Sequence, residues 1–150
     1  MSFDVTATLR SIESKLLSSG YFKHVQIGEP KGPAEQRFTA AIFMSDVSRA
    51  DLPLAEVNHV YTVLVRIYDD MLREPQEDVE IEMSNVLDKF LNDLCGEFDL
   101  GATIRHVDVG GIWGTALGAK WGYIDLNNWM YRVVDVTVPL VVNTAIPLAA

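Results

Sequence analysis

KWGYIDLNNWMYRVVDVTVPLVV, residues 120–142, is the stretch from which the fold is read. Alternation through Trp121 and Tyr123, and again through Met130, Val134, Val136, Val138, Leu140 and Val142, has the period of two that marks strands with one buried face. Asn127 and Asn128 sit between the runs, and asparagine tolerates the positive φ of a tight turn better than most residues. A two-residue turn there fixes the register. Leu126 then faces Trp129, Ile124 faces Tyr131, Tyr123 faces Arg132, Gly122 faces Val133, Trp121 faces Val134 and Lys120 faces Asp135. One pair is oppositely charged, one can stack a guanidinium on a ring, and the others are largely apolar, so the register is chemically consistent.

Working outward, Val5, Leu9, Ile12 and Leu16 recur at helical spacing, which predicts an amphipathic helix from about Asp4 to Ser19, stopped by Gly20. Tyr21 to Ile27 reads as a short strand, followed by the glycine- and proline-rich connection GEPKGPAEQ. Phe38, Ala40, Ile42 and Met44 alternate as a second strand, and SDVSRADLPLAE, residues 45–56, reads as a long loop and a candidate contact segment. Val57, His59, Tyr61, Val63, Val65 and Ile67 share one face of a third strand. Val79, Met83, Val86, Leu87, Phe90 and Leu94 keep the helical period from about Gln76 to Cys95, with Pro75 before the start and Gly96 after the end. Thr103 to Val109 returns as a strand before the hairpin.

The order is helix, three strands, helix, three strands. It predicts an α+β fold: a single mainly antiparallel mixed sheet of about five to six strands with two helices packed on one face. At 150 residues the chain fits one domain, spanning 1–150, with an uncharged arm over residues 143–150. Pro139 lacks an amide hydrogen and so suits a sheet edge or the point where pairing ends. The arm and its neighbours Pro139, Val141, Ile146, Pro147 and Leu148 are therefore candidates for docking on another chain, a frayed tail being the other reading of the arm, and so are Trp113 in its loop and Trp129 at the turn.

A formal net charge of −9 disfavours a grip on nucleic acid, which needs Lys and Arg against phosphates. Asp69, Asp70, Glu74, Glu77 and Asp78 lie in one short stretch opposed only by Arg73; the plain reading is a solvated loop and helix start, the sharper one an acidic face. No apolar run approaches the roughly 18 residues of a membrane span. The start, MSFDVTATLRSIESKL, lacks the pattern of a secretory leader, which predicts that the protein stays where it is made.

No catalytic, metal or cofactor site is expected. In GGIWGTALGAKWG, Gly118 is followed by Ala119-Lys120-Trp121, which is no phosphate loop. His106 and Asp108 are two apart on a predicted strand, but two groups are too few for a metal, and His24 and His59 lie on other strands. Cys95, the only cysteine, sits near the end of a helix in a position more typical of packing than of a thiolate.

The run from Asp99 to Asn143 resembles the C-terminal half of tail terminator (tail completion) proteins of long-tailed bacteriophages. The likeness lies in Leu100-Gly101 before a strand, Arg105 and Asp108 within it, Gly122-Tyr123, and Met130-Tyr131-Arg132 leading into Asp135-Val136-Thr137-Val138-Pro139-Leu140. YTVLVRIYDD, from Tyr61 to Asp70, and the second helix are similar in length and placement, so the likeness covers about the last two-thirds of the chain. The resemblance implies a mixed sheet with two helices and a structural virion protein without catalytic activity. It further implies a homo-oligomeric, hexameric ring at the head-proximal end of the tail, assembled in the host cytoplasm. Its partners would be the tail tube protein and a head-tail connector protein, with DNA passing through unbound and no membrane contact. Two other readings stay open: another head-tail joining or tube part, and more distantly a small α+β ligand-binding protein or enzyme.

Overall fold

Asp4 starts the first element. Its carboxylate accepts a hydrogen bond from the Ala7 N–H at 3.0 Å and so caps helix α1, Val5–Ser18. Gly20, at φ 82°, ends the helix in the left-handed conformation that glycine adopts at little cost. The computed structural model describes residues 4–22, 24–28, 39–50, 58–70, 76–96, 100, 104, 106–111, 116–126 and 128–143. After α1 come β1 (His24–Ile27), β2 (Thr39–Ala50), β3 (Asn58–Asp70), helix α2 (Gln76–Gly96), β4 (His106–Val107), β5 (Gly118–Leu126) and β6 (Trp129–Asn143).

The six strands form one mixed sheet in the order β1-β2-β3-β6-β4, with β5 also on β6. Among the described residues only β1 and β2 run parallel; the other pairings are antiparallel. The hairpin register is the one the asparagine turn predicts, from Leu126 against Trp129 to Lys120 against Asp135, and Asn128 has φ 66°. β4 and β5 share one edge of β6. Val107 pairs with Leu140 and Gly118 with Thr137, so the two short strands act as one edge strand interrupted by an excursion. The Leu117 N–H donates to the Asp108 carbonyl at 3.1 Å and closes the excursion at its base.

Pro139 is a correction to the reading above. It lies inside β6, opposite Thr62 of β3, and pairing continues beyond it to Asn143. Its carbonyl accepts from the Asp108 N–H at 2.9 Å, and a strand residue's N and C=O point to the same side. The missing N–H therefore faces the gap between β4 and β5, where the edge strand is interrupted and a donor would have no ladder partner. Proline is tolerated in this interior strand because its deficient side meets a break.

The sheet has two unlike faces. On one, Ala40 and Ile42 of β2, Val63, Val65 and Ile67 of β3, and Val134 to Val142 at alternate positions of β6 form the main core. Both helices cover this face through Leu9, Ile12 and Leu16 of α1 and Val79, Met83, Val86, Phe90 and Leu94 of α2. Each such aliphatic or aromatic side chain contributes roughly 1.5–3 kcal/mol by leaving water, which makes this layer the main source of stability. On the other face Ala41, Tyr68, Tyr131 and Val133 form a smaller cluster, with the Tyr68 and Tyr131 rings edge to face at 5.9 Å. Beside it the Arg66 guanidinium grips Asp135 through two bonds, 2.7 and 3.1 Å, and lies over the Phe43 ring. The Asp135 carboxylate holds Arg66 in its charged form more firmly than usual.

Three strands differ from expectation. β1 begins at His24 and not at Tyr21, β2 extends to Ala50, into residues read as loop, and among the described residues of the predicted 103–109 strand β4 comprises His106 and Val107. The register of β2 on β3 shifts between Met44 and Asp46, where a bulge moves Val47 onto the same face as Met44. That bulge breaks the period of two, which is why the sequence pattern stopped at Met44.

Candidate assembly surfaces

An open sheet leaves two edges, and here they are built from different segments. Among the described residues, β1 pairs with β2 from Thr39 to Ile42 and no other strand pairs with that side of β2. Beyond it Met44, Ser45, Asp46, Val47 and Ser48 are exposed along the outer side of the sheet. At the far side β5 exposes Ala119, Lys120, Tyr123 and Asp125. Unpaired strand edges are templates for pairing with another chain unless something guards them.

Exposed apolar side chains mark both edges on the helix-bearing face. Ile27 (40%), Met44 (40%) and Val47 (52%) stand at the β1–β2 side, and Tyr123 (58%) and Met130 (41%) at the β5–β6 side. Register assigns the face: Met44 pairs with Val63, Ile27 with Ile42, and Tyr123 adjoins Trp121, whose partner Val134 is core. Lys120, opposite Asp135, and Asp46, opposite Thr62, fall on the other face.

Arg132 fixes how the β5–β6 edge is presented. Its guanidinium lies 4.4 Å from the Tyr123 ring centroid and 5.2 Å from that of Trp121. Its Nε donates to Glu80 of α2 at 2.7 Å and a terminal nitrogen donates to the Gly122 carbonyl at 3.3 Å. One planar cation thus stacks on two rings while tying the first turns of α2 to the hairpin. The stacking on Tyr123 follows from the predicted register; the tie to Glu80, 52 residues away in sequence, had no local signal.

Among the described residues, those singled out from the sequence do not form one surface. Val141 is fully buried and pairs with His106, and Pro139 is buried, so neither is a surface group in this chain. Asp69 is 1% exposed, within β3 opposite Arg132, and does not stand on an acidic face. Asp70 still belongs to β3, while Glu77 is exposed and Asp78 half-buried in the first turn of α2, where negative charge suits the helix dipole. Trp129 begins β6, and its side chain lies outside the described residues, as do Trp113, Glu74, Ile146, Pro147 and Leu148. Trp121 is half-buried against the main core. Cys95 is exposed, a correction to its reading as a packed residue.

Among the described residues no group of three His, Cys, Asp or Glu side chains could hold a metal ion, and no helix is long and apolar enough to cross a membrane. A shallow polar groove of about 360 Å³ runs between the helices, lined by Lys15, Ser18, Lys89, Asn92, Asp93 and Gly96. The His59 ring is tilted against Tyr61 at 6.2 Å, and its buried Nδ1 has no hydrogen-bond partner.

No protein-family model and no curated protein sequence matches the chain. Among solved structures it is similar to the PVC sheath/tube terminator of an extracellular contractile injection system in the extended state. The TM-score is 0.41 at 14% sequence identity, and the match covers 100% of this chain and 62% of that chain. This chain thus corresponds to less than two-thirds of that terminator's length.

Proposed function

We propose that this protein is a structural part of a tail-like assembly. Copies of it close into a ring, hexameric in the family that residues 99–143 resemble, at the head-proximal end of a tail tube. The ring halts growth of the tube and offers a surface to a head-tail connector protein, while DNA passes through without being bound. No bond is made or broken.

The observation that carries the reading is the open sheet with two unlike, exposed edges. A closed ring needs two different patches on each subunit that meet head to tail, whereas a two-fold dimer needs only one self-complementary patch. The net charge of −9 fits a conduit that repels a polyanion. Native mass spectrometry of the purified protein, followed by negative-stain imaging, tests the reading. Closed rings of a single size are expected. A monomer at every concentration, or open-ended tubes, would overturn it.

A further inference from the structure

The geometry points to a docking patch on the helix-bearing face at the end of the β5–β6 hairpin, whose occupant is a segment of another protein that carries both aliphatic side chains and Lys or Arg. The inference concerns a partner other than this chain and does not depend on how copies assemble.

The patch is built from neighbours in the ladder. Tyr123 pairs with Arg132 and Asp125 with Met130, so on this face the Tyr123 and Met130 side chains are diagonal neighbours across the hairpin, within reach of each other. Tyr123 is 58% exposed, more than any other large apolar side chain among the described residues, and Met130 is 41% exposed. A lone apolar residue on a surface means little, but aromatic residues and methionine are enriched together at the centre of protein interfaces. The Tyr123 ring is also held before any partner arrives. The Arg132 guanidinium lies 4.4 Å from its centroid and is itself fixed by Glu80 at 2.7 Å and by the Gly122 carbonyl at 3.3 Å. An anchor that is already ordered loses little conformational freedom on binding. Met130, with its unbranched and flexible side chain, supplies the adaptable half of the contact.

Charge selects the occupant. Asp125 is exposed opposite Met130, Glu80 is half exposed on α2, and exposed Glu77 lies one turn before Glu80 on the same helix. The cation set among them, Arg132, is 15% exposed and already engaged by Glu80. A second copy, with its net charge of −9, is a poor match for such a rim. A segment with Lys or Arg around aliphatic side chains matches it twice over: the apolar groups cover Tyr123 and Met130 while the cations meet the carboxylates.

A short peptide alternating Lys and Leu is the probe and one alternating Glu and Leu the control, each titrated into isotope-labelled protein while the backbone amide shifts are followed. The lysine peptide should give saturable shifts centred on residues 77–81, 121–125 and 129–132, weaker as salt is added, and the control none. Tyr123→Ser and Met130→Ser alter exposed side chains, and Met130→Ser leaves the stack of Arg132 on Tyr123 intact, so a folded variant is available for the test. Each should weaken binding about tenfold, the size of a hot-spot loss, whereas Val47→Ser at the opposite margin of the sheet should leave it unchanged. No saturable shift, shifts spread over every acidic surface, or equal losses in the three variants would overturn the inference. So would loss of self-association by Met130→Ser in sedimentation, which would make the patch a contact between copies.

Discussion

Arg132 does several jobs with one side chain, and each depends on its shape. Lysine could keep the charge near Glu80 but could neither spread a planar cation over two rings nor reach Glu80 and the Gly122 carbonyl at once. Glu80 is half exposed, so the ion pair itself is worth little; most of the loss would come from stacking. Arg132→Lys should destabilise the protein by about 1 kcal/mol, seen as a lower urea midpoint with an unchanged slope. Arg66 shows the limit of reading pairs from a hairpin alone. Lys120 does stand opposite Asp135, yet Asp135 is held by Arg66 of β3, a neighbour that becomes visible only once β6 is known to lie between β3 and β5. Asp69 was equally illegible: an acidic run in sequence gives no sign that its first member is drawn into the sheet.

The elements were easier to read where their pattern was uninterrupted. Both helices and β3, β5 and β6 keep one period throughout, and the structure places them within about two residues of the expected bounds. The failures occur where two strands meet imperfectly. The bulge after Met44 hid the second half of β2, and the excursion between β4 and β5 hid that both serve one edge. That excursion turns on Gly111, at φ 75°, where an added Cβ would sit 3.1 Å from the Ala116 Cβ and backbone N. Gly110, its neighbour, has open space around it and no positive φ. Gly111→Ala should cost about 1–2 kcal/mol through the left-handed backbone alone, while Gly110→Ala should change the melting temperature little. Equal losses in the two variants would show that the turn does not depend on Gly111.

At the scale of the whole molecule, the acidic balance and the two edges oppose each other. Copies carrying a net charge of −9 repel at a distance, whereas the exposed side chains Ile27, Met44, Val47, Tyr123 and Met130 at the sheet margins are apolar. The Debye length falls from about 30 Å at 0.01 M salt to about 10 Å at 0.1 M, so added salt removes repulsion between copies faster than it weakens apolar contacts between them. The oligomeric fraction measured by sedimentation should rise between these ionic strengths; a fall would mean that ion pairs dominate the contact.

The interrupted edge of β6 carries one more implication. Because the chain departs after Asp108 and is pinned again at Leu117, the segment between can lengthen or shorten while every rung of β6 stays in place. Such a detour is a natural site for grafting a peptide tag. It also gives evolution a spot to alter what the protein greets without rebuilding what holds it up.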